Sequence, residues 1–256
     1  MATLNTQLTL TSNDLVDGES FSLQVSDEPT VIGQAFSFQT VATQTGVVFA
    51  AAANYTKSYV YLKNLSTTTN EIITIEKADG GDEYFTLGAG EFAFFPWAAA
   101  VDLAVDAATG SPVLEVRIFQ AEAFENQEIN LSVTSDLIVS APLTDISRMA
   151  TNDNIGNGAG IIVADLLTDT YFVYVKHTGL LASNGTSASH ASNDFVTLSN
   201  ADADAASSII KLQPGEFCFF PLAPSDGSDD GAEPGGLKVT KGGADVVIEF
   251  AYFKRT

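Results

Sequence analysis

The side chains best suited to chemistry in this chain come in pairs. Glu91 and Glu216 share a Gly-Glu-Phe context, and Glu115 and Glu249 each sit between apolar neighbours, in Val-Leu-Glu-Val and Val-Ile-Glu-Phe. Two carboxyls about 5 to 9 Å apart, in surroundings that separate their pKa values, are the equipment of a glycoside hydrolase. Such a site occurs once, in a cleft, with a distinct acid and base. A carboxylate that recurs in a plain strand context reads instead as a turn or edge residue. Histidine and cysteine chemistry is sparse: His177 falls where an earlier segment has Asn64, His190 lies in a polar run, and Cys218 falls where that segment has Ala93. No Ser/His/Asp or Cys/His set is formed, and two distant histidines do not make a zinc site. No catalytic residue is expected. Calcium has weak candidates in Asp226, Asp229 and Asp230, within Asp226-Gly-Ser-Asp-Asp-Gly231, and a shorter acidic loop runs from Asp79 to Glu83. Acid-rich Gly loops suit a hard cation, but neither follows the EF-hand spacing, and both read as solvated turns. No phosphate-cradling Gly motif is present, so no cofactor is expected.

The elements that carry these residues repeat. Leu87-Gly-Ala-Gly-Glu-Phe-Ala-Phe-Phe-Pro-Trp-Ala98 matches Leu212-Gln-Pro-Gly-Glu-Phe-Cys-Phe-Phe-Pro-Leu-Ala223 at eight of twelve positions. Tyr59-Val-Tyr-Leu-Lys63 matches Phe172-Val-Tyr-Val-Lys176 upstream, and Val113 to Phe119 matches Val247 to Phe253 downstream. Gln7-Leu-Thr-Leu-Thr-Ser12 pairs with Asn130-Leu-Ser-Val-Thr-Ser135, so the order is kept throughout. A repeat of this length is a duplicated domain, with copy one at 1–123 and copy two at 124–256. The offset grows from 113 to 125 to 134, which places insertions of twelve and nine residues in copy two, in the runs 182–192 and 224–236. Both are Gly, Pro, Ser and Asp chemistry and belong in surface loops.

Strand periodicity dominates each copy. Gln7 to Thr11, Ser20 to Val25, Ala35 to Gln39, Glu71 to Glu76 and Ile129 to Val133 largely alternate apolar and polar residues, the pattern of a half-buried strand. The Ala-rich run after Trp97 aligns without a gap to a segment with Gly242-Gly243 at its centre, so Leu103 to Val116 is expected to be a β-hairpin rather than a helix. Some eight or nine short strands per copy, with turns every 8 to 12 residues, predict an all-β chain of two tandem, jelly-roll-like β-sandwiches. In the repeated Gly-Glu-Phe-x-Phe-Phe-Pro motif, Gly makes the turn and Pro96 and Pro221 end the strand. Phe92, Phe94, Phe217 and Phe219 then fill a core on one face. Phe95 and Phe220 fall on the other face, which meets either the other domain or another subunit. With Tyr59 they are the candidate assembly contacts.

Composition limits the partners. Acidic residues number 32 against 11 basic, a net charge of −21, while only 17% of residues are charged and 45% are hydrophobic. Nucleic acid and anionic membrane are poor partners for such a chain. The apolar content argues for a packed fold over disorder. Met1 to Asn5 lacks the basic and apolar regions of a secretory signal, no run is long enough to span a membrane, and one cysteine forms no internal disulfide. Synthesis in a cytoplasm is expected.

The tyrosine-rich strand Tyr59-Val-Tyr-Leu-Lys-Asn64, the Leu-x-x-Gly-Glu-Phe-x-Phe-Phe-Pro motif and the closing Val-Leu-Glu-Val-Arg-Ile-Phe strand resemble the small β-sandwich virion structural proteins of tailed bacteriophages, particularly marine and cyanobacterial ones. The resemblance implies a non-enzymatic, homo-oligomeric protein of the outer capsid surface, a decoration or cement protein bound to the major capsid protein or other virion proteins. Its duplicated domain departs from the single-domain form of that family. A double jelly-roll shell subunit, a tail or fibre component and a carbohydrate-binding receptor module are the alternatives. The inserted loops, which contain no Trp, Tyr or Phe, argue against the last.

Overall fold

A computed structural model describes residues 2–16, 19–27, 30–31, 36–43, 46–78, 83–120, 128–131, 147–150, 160–163, 171–181, 194–200, 210–222 and 237–254. In chain order the strands are β1 (Ala2–Val16), β2 (Glu19–Asp27), β3 (Thr30–Val31), β4 (Phe36–Val41), β5 (Val47–Ala50), β6 (Ser58–Asn64), β7 (Ile73–Lys77), β8 (Glu83–Leu87), β9 (Phe92–Trp97), β10 (Leu103–Ala107) and β11 (Val113–Gln120). They continue with β12 (Glu128–Leu131), β13 (Ser147–Ala150), β14 (Gly160–Val163), β15 (Tyr171–Leu181), β16 (Val196–Asn200), β17 (Ile210–Leu212), β18 (Phe217–Leu222), β19 (Leu237–Lys241) and β20 (Val246–Lys254). The only helical element among the described residues is a 3-10 turn, Ala52–Asn54. The protein is all-β. No described helix is long and apolar enough to cross a membrane.

The pairings fall into matching sets. β4-β11-β6-β9 and β5-β10-β7-β8 are neighbouring runs in the first half, and β13-β20-β15-β18 and β14-β19-β16-β17 run in the same order in the second. The halves join at a seam where β18 meets β9 and β8, and β17 meets β9, so sixteen strands form one continuous sheet system. β1, β2, β3 and β12 form a separate four-stranded sheet, in which β1 and β12 run parallel with Leu4 opposite Ile129. The expected domain boundary at 123/124 lies outside the described residues.

Leu103 to Val116 corrects one expectation. It is strand, turn, strand, with Gly110 at φ +72° in the turn, but β10 pairs with β5 and β7 while β11 pairs with β4 and β6. The two strands are not a hairpin. The turn carries the chain from one sheet to the other, and β19 and β20 separate in the same way.

Two-residue periodicity sends side chains to two cores. Val60 and Leu62 of β6, Ala93, Phe95 and Trp97 of β9, Val173 and Val175 of β15, and Cys218, Phe220 and Leu222 of β18 all enter an aliphatic-rich interior with Ile73, Ile75, Phe85, Leu114 and Val116. The alternate residues Tyr59, Tyr61, Phe94, Phe172, Tyr174, Phe217 and Phe219 face the opposite way and are covered by Leu4, Leu8, Leu23, Val25 and Val31. Strands buried on both faces read as nearly unbroken apolar runs, which is what Tyr59-Val-Tyr-Leu and Phe217-Cys-Phe-Phe are. Phe95, Phe220 and Tyr59 are 0%, 2% and 4% exposed. They are therefore core residues of this chain, not assembly contacts: Phe95 and Phe220 lie in the aliphatic interior, and Tyr59 lies on the opposite face, under the sheet of β1 to β3.

Candidate functional site

The polar residues held deepest gather around the repeated Gly-Glu turn. In the first half the Glu91 N–H donates to the Gly88 carbonyl at 3.1 Å, and in the second the Glu216 N–H donates to the Gln213 carbonyl at 3.0 Å. Each is a four-residue turn whose third position is a Gly with positive φ, +77° at Gly90 and +95° at Gly215. A type II turn requires a residue of that freedom there and favours Pro one position earlier, where Pro214 stands. The glutamate side chain then closes the turn. Glu91 Oε2 accepts the Gly88 N–H at 2.6 Å, and Glu216 Oε2 accepts the Gln213 N–H at 2.7 Å.

Beside each turn lies the end of a tyrosine-rich strand. Asn64 donates its backbone N–H to the Glu91 carbonyl and accepts from Gly90; His177 does the same with Glu216 and Gly215. Their side chains also play matching parts. Asn64 Nδ2 donates to the Glu71 carbonyl at 2.8 Å and its Oδ1 accepts the Ser66 N–H at 2.9 Å. The Gly179 N–H donates to His177 Nδ1 at 3.0 Å, which leaves the proton on Nε2, and Nε2 donates to the Asp194 carbonyl at 2.7 Å. Burial is the main reason the imidazole pKa lies below its ordinary value, outweighing the hydrogen bond to Asp194 and the nearby Glu216 charge that raise it. His177 is a neutral, fully buried tether.

Glu216 also extends across the seam. Lys57 Nζ lies 2.6 Å from its Oε1 and 2.8 Å from its Oε2, and the Tyr59 hydroxyl also donates to Oε1. The lysine stands 5.6 Å from the centre of the Tyr59 ring. Glu216 is buried, so its carboxylate needs these donors. The position equivalent to Tyr59 in the second half is Phe172, which has no hydroxyl to donate.

Two ladders of aromatic rings cross the same seam. Tyr59, Phe94, Phe217 and Tyr174 follow one another at centroid distances of 6.4, 5.8 and 6.4 Å. Tyr61, Phe92, Phe219 and Phe172 follow at 6.4, 5.6 and 5.8 Å. Exchanging each ring for its sequence counterpart converts one ladder into the other. Phe94 is itself paired in register with its counterpart Phe219, and the flanking pairs, Phe85 with Leu222 and Ile210 with Trp97, are the same pair exchanged. The seam has an internal two-fold relation centred on Phe94 and Phe219.

The other carboxylates are engaged in simple ways. Glu115 Oε1 accepts from Arg117 Nε at 3.0 Å and Nη2 at 2.6 Å, and Glu249 lies opposite Lys176 in the strand register. Cys218 is fully buried, and burial pushes its thiol pKa up, away from thiolate chemistry. Among the described residues no group of three or more His, Cys, Asp or Glu is arranged to hold a metal ion. Asp226, Asp229 and Asp230, together with His190, lie outside the described residues. The sequence reading missed Lys57, since nothing in its local context marks it as the partner of a glutamate 159 residues away.

No family model matches this chain, and no curated protein matches it. Among solved structures it is similar to a conserved protein of unknown function from Pseudomonas aeruginosa, at 11% identity over 97% of this chain and 99% of that one, with a TM-score of 0.24. It is also similar to oxalate decarboxylase of Bacillus subtilis, at 11% identity over 98% of this chain and 77% of that one, with a TM-score of 0.25, and to a protein from Geobacillus kaustophilus, at 12% identity, 91% and 82% coverage and a TM-score of 0.21. These likenesses are too distant to transfer an activity. The expected function is corrected on the side chains themselves: the aromatic residues meant to dock on a capsid are inside the chain, and the similar structures, a protein of unknown function and oxalate decarboxylase among them, lend a virion role no support. The capsid decoration reading, with its shell, tail and receptor alternatives, is set aside.

Proposed function

We propose that the chain is a non-catalytic scaffold made of two tandem, duplicated β-sandwich lobes, residues 1–123 and 124–256, that presents a rigid acidic surface. The observation that carries this reading is the use made of the buried polar groups. Asn64, His177, Glu216 and Asp194 all bind backbone groups at turns and strand ends, and Glu216 also ties the two halves together. The interior between the sheets is filled with Val, Leu, Ile and Phe side chains. A catalytic site keeps a polar group directed at open space; among the described residues these four are each held by a backbone group. The matched turns and exchanged ladders support duplication as the origin of the two lobes.

Thermal melts with Ca²⁺, Mn²⁺ and Zn²⁺ test the reading. A ligand at 100 times its Kd stabilises the folded state by about 2.7 kcal/mol, roughly 5 to 10 °C for a chain of this size. The expected result is no saturable shift with any of the three ions. A saturable rise that disappears on adding a chelator would assign a metal site and overturn the scaffold reading.

A further inference from the structure

The sheets end in unequal edges. β4 pairs only with β11, and β5 only with β10, so among the described residues each presents an unpaired side. The two edges lie on the same flank of the first lobe, joined by a few residues. They also lie in a stretch of unusual composition: residues 29–56 contain no Asp, Glu, Lys or Arg, in a chain with 43 such residues and a net charge of −21. Phe36 and Val41 on β4 and Val48 on β5 are 48%, 47% and 46% exposed. Natural edge strands are protected from pairing with other chains by charge, Pro, bulges or cover. In the second lobe the edge strand β13, which pairs with β20, contains Arg148. The β4 and β5 edges carry no such charge.

We propose that this flank is a self-association surface on which β4 pairs antiparallel with β4 of a second copy across a two-fold axis. Charge selects the occupant. Two copies repel each other over most of their surfaces, and the uncharged flank is where they approach at least electrostatic cost. A basic partner would be drawn to the acidic remainder of the molecule instead. An antiparallel strand pair about a two-fold is self-complementary, so this segment supplies both halves of the contact, and exposed Phe36 and Val41 gain cover from their symmetry mates. Six residues per side make an interface smaller than the standard size, so association is expected in about the micromolar range. The proposal rests on the scaffold reading for its purpose, but the two fail separately: a metal-dependent melt would overturn the scaffold, and a monomer would overturn this.

Sedimentation of the full chain from about 1 to 300 µM, at low salt and at 0.15 M and above, is the test. The expected mass rises from 26.9 kDa toward twice that value, and more readily in salt, because screening weakens repulsion between like-charged copies. Val41→Lys, at an exposed position, is expected to weaken association at least tenfold without lowering the Tm. A mass that stays monomeric, association that salt weakens, or a Val41→Lys variant that associates like the wild type would each overturn the proposal. Should Val41→Lys melt early, hydrogen exchange of the wild type decides. Amides of Phe36 to Val41 are expected to slow at high concentration, and exchange independent of concentration would overturn the pairing.

Discussion

Tyr174 is the clearest single-residue test of how the aromatic face is built. Its hydroxyl is buried with no hydrogen-bond partner among the described residues, and burial is the main cause raising its pKa. An unsatisfied buried hydroxyl costs about 1 to 3 kcal/mol, so Tyr174→Phe, which keeps the ring in the ladder, is expected to leave stability unchanged or raise it by about 1 kcal/mol in urea unfolding. Tyr59→Phe is expected to do the opposite, because that hydroxyl serves Glu216. His177 gives a pH dependence of defined sign. Its folded pKa lies below the ordinary value of 6.5, so as pH falls the unfolded chain takes up the proton first. The stability that depends on its neutral form is present above about pH 6.5 and is lost as pH falls below it. His177→Asn copies the residue that plays the same part at position 64. The variant is expected to fold and to lose less Tm than the wild type between pH 7.5 and 5.5.

At the scale of elements, much of the strand pattern was legible because alternation and side-chain burial share a period of two. β2, β4, β7 and the run within β1 fall where the apolar and polar residues alternate. Partnership between strands was not legible. Leu103 to Val116 shows why: a tight turn between two strands fits a hairpin or a crossing between sheets equally well, and only the packing of β10 beside β7 and β11 beside β6 decides. The face of Phe94 and Phe219 was read as core for the same local reasons that hold in the structure, but the sheet covering it comes from residues with no motif of their own. Lys57 and Glu216 join elements of the two halves. Removing one member strands a partly buried charge, so Glu216→Gln is expected to cost about 1 to 3 kcal/mol, and Lys57→Met with Glu216→Gln to cost less than the sum of the single changes in a double-mutant cycle. Additive costs would show that the pair does not couple the lobes.

For the molecule as a whole, the seam decides how it unfolds. Both cores run across it: Phe85 packs against Phe220 in one, and the ring ladders cross in the other. Neither half can open without exposing apolar surface of its partner, so calorimetry is expected to give one transition with equal calorimetric and van't Hoff enthalpies. Two resolved transitions would show lobes that fold apart. The repeat was legible in sequence because the turn fixes it chemically: Gly for positive φ, Glu to close it, aromatic residues on alternate faces after it. Function was less legible, since the same aromatics serve a core, a seam or a docking face, and only their burial separates these. The two-fold at Phe94 and Phe219 resembles the interface of a symmetric dimer, but both sides of it belong to one chain. In a true dimer every mutation is inherited by both sides of the axis at once. Here each side can change alone, and the sides do differ: Tyr59 donates to Glu216 where the matching Phe172 has no hydroxyl, and a histidine stands on one side where asparagine stands on the other.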